Sequence, residues 1–151
     1  MTPEQLFAKK SKRQAFLDWC YAQKGKPYIW GADGPNGFDC SGLICAGLLA
    51  VGGPDWRATH NSDRMFRELS EIQGRSAMAG DLVFYGPPNR ITHVMVLWED
   101  GRVYGATGGN SKTTTPTKGA AVQFRRSIHY RPDLRGLRAF PLQEVAPNGN
   151  V

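Results

Sequence analysis

The chain has 151 residues, 40% hydrophobic and 21% charged, and a formal charge of +6. That length suits one domain with its own core, the composition excludes a disordered chain, and no stretch approaches the ~18 consecutive apolar residues of a membrane span. The charge admits nucleic acid, acidic lipid or an anionic cell-wall polymer as partner, but Lys and Arg are scattered rather than gathered into one block.

In chain order, residues 4–23 are expected to be helical, with Leu6, Phe7, Phe16, Trp19 and Cys20 on one apolar stripe, Pro3 in the first turn and Gly25 as the stop. Charges interrupt this stretch, so it does not read as a secretory signal. The chain is therefore expected to be made in the cytoplasm and to reach its place of action by another route. Residues 25–38 hold four glycines and two prolines and read as an ordered loop. Asp39 follows as a good N-cap. Over residues 41–51 Leu43, Ile44, Leu48 and Val51 recur at the helical period, while Gly42, Ala46 and Gly47 permit close packing. Residues 52–54, Gly-Gly-Pro, end that helix. A shorter one is expected from near Ser62, with Met65, Phe66 and Leu69 on one face.

After residue 80 the period changes. "DLVFYG", "THVMVLWED" and "RVYGA" read as strands rich in β-branched and aromatic residues, and Asp100-Gly101 marks a hairpin between the last two. A polar loop over 107–119 leads to "AAVQFRR" and "LRAFPL", two further strands. Helices first and strands after predict an α+β fold, helices packed on one side of an antiparallel sheet of five to six strands. A single domain over 1–145 is expected (helix 1–24, loop and helix 25–54, sheet 80–140), with a flexible tail over 146–151.

Three cysteines occur, Cys20, Cys40 and Cys45, without a C-x-x-C pair, and His60, His93 and His129 lie far apart. Neither a structural metal nor a cofactor is expected. Cys45, mid-helix among Leu and Ile, and Cys20, beside Trp19, read as small buried hydrophobes. Cys40 differs: it opens a helix directly after a turn-rich loop, where the helix dipole and free amides should lower its thiol pKa. A thiol nucleophile works with a base that also protonates the leaving group. His93, at the start of "HVMVLW", is the candidate, since a strand end holds an imidazole firmly. Ser41 lacks the G-x-S-x-G elbow of a serine nucleophile, and "GATGGNSKT" lacks the Gly-Lys step of a phosphate loop.

With those residues in view, "GKPYIWGADGPNGFDCSGLI" resembles the signature segment of the NlpC/P60 cysteine peptidases, and "AGDLVFY…ITHVMVL" resembles their histidine segment. The resemblance covers about residues 25–106. It implies a papain-like α+β NlpC/P60 fold, Cys40 as nucleophile, His93 as base, and Tyr28 beside the thiol with its hydroxyl helping to hold substrate or oxyanion. Trp30, Asp39 and Ser41 are expected to bind substrate with it. The family usually orients its histidine with a polar residue on the following strand, where this chain has Gly105, which has no side chain to hold the Nδ1 proton. Thr107 on the same face, Asn110 in the loop, a backbone carbonyl or a water could serve. Asn110 is preferred as the third catalytic residue, because an amide oxygen accepts well from an imidazole N–H. The glycine would also widen the cleft.

The resemblance implies hydrolysis of peptidoglycan stem peptides, at the bond between γ-D-glutamate and the diamino acid. The chain is expected to be a monomer and to bind no nucleic acid. A phage lysis or tail assembly is the expected carrier. The alternatives are an amidase or acyltransferase of related fold and a non-catalytic wall-binding module.

Overall fold

The structure, a computed structural model, describes residues 10–143. Expectations for residues before Lys10, Pro3, Leu6 and Phe7 included, and for the 146–151 tail lie outside the described residues. Among the described residues three α-helices precede the sheet: α1 Lys12–Ala22, α2 Cys40–Ala50 and α3 Ser62–Glu68. Five strands follow, β1 Leu82–Tyr85, β2 His93–Leu97, β3 Val103–Thr107, β4 Ala121–Arg125 and β5 Leu134–Arg138, with a 3-10 turn at Ile128–Tyr130 before β5. The sheet is antiparallel in the order β4-β3-β2-β1-β5.

Each helix begins where a short polar side chain can take an orphan amide. Ser11 accepts from Gln14 N at 3.0 Å, Asp39 from Gly42 N at 2.7 Å, and Asn61 from Arg64 N at 2.8 Å. Helix α1 therefore starts at its Ser11 cap, inside the 4–23 span read from periodicity.

Strand alternation sorts side chains onto two faces. Leu82, Phe84, Val94, Val96, Tyr104, Ala106 and Val122 join the helices' Phe16, Leu43, Ile44, Leu48 and Met65 in one buried cluster. Each fully buried aliphatic there contributes about 2 kcal/mol. Val83, Tyr85, Met95 and Val103 point the other way and are covered by Ile128, Tyr130 and Leu134. Helix α2 approaches its neighbours closely because it carries glycines on both flanks. A Cβ at Gly42 would stand 2.0 Å from Ala32 O, and one at Gly47 2.8 Å from the Phe16 ring.

The last strand differs from expectation. It is Leu134–Arg138, "LRGLR", rather than "LRAFPL", and it pairs with β1 along the sheet edge. Pro141 has no N–H for a ladder. Ala139 N turns away to Ser70 O at 2.9 Å, and Phe140 N to the Asp81 carboxylate at 3.0 Å.

Candidate active site

Two local devices bring the thiol and the imidazole to one end of the molecule. The loop of residues 25–38 is pinned by backbone bonds, Ile29 N to Phe38 O at 3.0 Å and Asp39 N to Ala32 O at 2.8 Å, and delivers the chain into α2 with Cys40 as first helical residue. The Asp39 carboxylate closes the junction, taking Gly31 N at 2.9 Å besides Gly42 N. On the sheet side, Ile91 N donates to Asp63 of α3 at 3.0 Å and Thr92 N to Tyr85 O at 2.9 Å, fixing the entry into β2 at His93.

A cleft of about 420 Å³ lies at this end. Of the residues expected to act, Tyr28, Trp30, His93 and Asn110 line it, along with Asp63, Arg90 and Arg131. Trp30 is half exposed on the rim and Tyr28 is buried. Cys40, Asp39 and Ser41 are outside this lining; the Ser41 hydroxyl donates to Asp39 at 3.4 Å, so those two serve the helix cap. Cys40 is buried, its sulfur within the influence of the Val94 amide, one residue after His93. His60, set aside from sequence, bonds Thr59 Oγ1 at 2.8 Å and Glu68 Oε1 at 3.2 Å and stacks on Trp56.

Burial governs the charges. It pushes the Cys40 thiol up to about 12, helped by the Asp39 charge, and outweighs the amides of Val94, Ser41 and Cys40 itself. The lowered pKa expected from the helix N-terminus is therefore overturned: desolvation of the thiolate exceeds the dipole. Tyr28 is likewise raised by burial, then by the charges of Cys40 and Asp39. His93 is lowered to about 3, chiefly by burial and then by Arg131, with Asp133 opposing. The resting pair is a neutral thiol and a neutral imidazole.

The His93 shift has a stability consequence. Between pH 6.5 and about 3 the unfolded chain binds a proton that the folded one refuses, so this contribution is full above 6.5 and is lost as pH falls. At pH 5 the loss is about 2 kcal/mol. Urea unfolding at pH 7.5 and pH 5 should show the difference in wild type and not in His93→Gln; equal losses in both would refute it.

The third position departs from expectation. His93 Nε2, rather than Nδ1, carries the ring's bond, to the Tyr130 hydroxyl at 2.7 Å, and that hydroxyl also meets Thr107 Oγ1 at 3.1 Å. Asn110 is turned into its own loop, its side-chain oxygen accepting from Lys112 N at 2.8 Å and its N–H donating to Thr113 Oγ1 at 3.0 Å. Thr107, the alternative on the same face, is therefore in the chain from His93, one hydroxyl removed. Gly105 does not widen the cleft: a Cβ there would lie 2.9 Å from Met95 Sδ, which already fills the space. Tyr130 went unnoticed in the sequence because nothing in "SIHYRPD" marks it, and only the return of the chain after β4 brings it to His93.

The model of the NlpC/P60 family matches residues 25–128 of the chain. The chain belongs to the NlpC/P60 family. Among similar proteins, Protein P54 of Enterococcus faecium is 32% identical over 122 residues, 79% of this chain and 21% of that protein. A probable endopeptidase of Corynebacterium glutamicum is 36% identical over 104 residues, 68% of this chain and 46% of that protein. The chain thus spans less than half the length of either curated relative. The crystal structure of the NlpC/p60 domain of the peptidoglycan hydrolase SagA superposes with a TM-score of 0.64 at 28% identity, covering 84% of this chain and 97% of that one. The three helices and five-stranded sheet are the NlpC/P60 fold. No helix among the described residues is long and apolar enough to cross a membrane.

Proposed function

We propose that this chain is a cysteine endopeptidase of peptidoglycan stem peptides, cutting between γ-D-glutamate and the diamino acid. The carrying observation is the placement of Cys40 at the start of α2 beside the β2 entry that holds His93, within the span that matches the family. The pair begins neutral, so the Cys40 proton passes to His93 as the sulfur attacks the amide carbon. Tyr28 is the donor to the oxyanion in this reading, supported by its position on the cleft wall and its electrostatic coupling to Cys40. The imidazolium then gives its proton to the leaving amine, forming a thioester. His93 next takes a proton from water, which attacks the thioester, and the thiol is restored.

The Tyr130 hydroxyl supplies what the strand position at Gly105 lacks. Accepting Nε2–H and donating to Thr107, it holds the ring in the tautomer whose Nδ1 lone pair is the base. Tyr130→Phe keeps the ring packing and removes one hydrogen bond of about 1.4 kcal/mol, so kcat should fall about tenfold with KM little changed. Initial rates on a soluble stem peptide measure this; a wild-type kcat in Tyr130→Phe would refute the orienting role.

Digestion of purified peptidoglycan followed by fragment masses tests the bond. The reading expects new amino termini on the diamino acid and new carboxyl termini on D-glutamate. Fragments separated instead at the lactyl–alanine bond would make the chain an amidase, and binding without any new termini would make it a wall-binding module.

A further inference from the structure

We infer that a second site, built to hold a phosphate-class oxyanion, lies next to the catalytic cleft, where Arg125, Arg126 and His129 face one cavity. The cavity is about 680 Å³ and is lined by Phe124, Arg125, Arg126, Ser127, His129 and Tyr130. It gathers two guanidinium groups and an imidazole without a carboxylate in its walls. Five arginines elsewhere each have a carboxylate close in sequence: Arg57 with Asp55, Arg64 with Glu68, Arg67 with Asp63, Arg102 with Asp100 and Arg131 with Asp133. Here the matching group is missing.

A second observation points the same way. Arg125 Nε is shielded from solvent and has no hydrogen-bond partner, the one buried side-chain polar atom so left among the described residues. A shielded N–H without an acceptor is costly, and an oxyanion in the cavity would satisfy it. The guanidinium is held in place by the Tyr130 ring, 5.7 Å from its centroid. Ser127 Oγ accepts the N–H of His129 at 3.1 Å, which leaves its own hydrogen to donate. All of these groups come from six consecutive residues, 125–130, where β4 ends and the 3-10 turn begins. Guanidinium forks suit a tetrahedral oxyanion, since each offers parallel N–H donors. The volume also leaves room for the rest of a phosphate ester.

The test is a titration of ¹⁵N-labelled full chain, carrying Cys40→Ala so that the outcome is independent of the peptidase reading. Inorganic phosphate is added at constant ionic strength while the Arg125 Nε–H and His129 ring signals are followed. Saturable shifts are expected, with Arg125→Gln and Arg126→Gln each weakening binding about tenfold. The Arg126 side chain is exposed, so its variant keeps the fold even if Arg125→Gln does not. Equal shifts with chloride, tighter binding of acetate than of phosphate, or wild-type affinity in Arg126→Gln would each overturn the site.

Discussion

Replacing Cys40 with alanine is expected to abolish stem-peptide hydrolysis while leaving the molecule folded. The sulfur is the only atom removed, from a buried position at the first turn of α2, and the resulting void costs about 1 kcal/mol. The proposed chemistry loses its nucleophile, and the rate should fall on the order of 10⁴-fold or more. His93→Ala should be nearly as damaging. The double variant should be little worse than either single one, because the two groups act as a unit. Fragment release from purified sacculi, with thermal unfolding recorded in parallel, gives both quantities. A Cys40→Ala chain that retains a tenth of the wild-type rate would remove the thiol from the mechanism. The same site predicts slow alkylation of Cys40 in the free protein at pH 7, since burial pushes the thiol up to about 12.

Asp81→Ala is expected to cost about 3 kcal/mol of stability, some 10 °C in Tm. The Asp81 side chain is fully buried just before β1 and takes five hydrogen bonds. Arg75 grips both oxygens at 2.8 and 2.9 Å, Arg13 of α1 reaches one at 3.1 Å, and the amides of Met78 and Phe140 complete the set. One carboxylate thus ties α1, the segment before β1 and the chain after β5 to one point. Its loss leaves two guanidinium groups facing a hole, partly relieved because both arginines have access to water. Burial pushes the Asp81 carboxyl up, but Arg75, the two amides and Arg13 outweigh it and hold the pKa at about 2. The linked stability is present above the usual 3.8 and is lost as pH falls through about 2. Calorimetry at pH 7 and an acid titration of both chains check this. An unchanged Tm in Asp81→Ala would refute it. Activity per folded molecule should be retained, since the bonds of Asp81 go to Arg13, Arg75, Met78 and Phe140 and to none of the proposed site residues.

Much of the architecture was legible because it is local. Asp39 caps α2 by its own side chain, Asp100-Gly101 closes the β2–β3 hairpin with Gly101 at φ +85°, and the short β-branched apolar run in "HVMVL" is enough to mark a strand. Cys40 and His93 could be singled out for the same reason: each stands at the first residue of an element whose start is signalled by its neighbours. The family motifs added their pairing.

Other features depend on what meets across the fold. Tyr130 reaches His93 from 37 residues away, beyond the segment that matches the family, while Asn110 bonds within its own loop. Met95 occupies the room beside that glycine. "LRGLR" rather than "LRAFPL" forms the edge strand because β1 pairs with it and Asp81 draws Phe140 away. The thiol's pKa rises although its helix position argues for a fall. Caps, turns and periodicity are set by a few adjacent residues. Desolvation, cavity filling and long-range hydrogen bonds are set by whichever groups the chain brings together from a distance, and for Cys40 the solvent it lost outweighed the helix it begins.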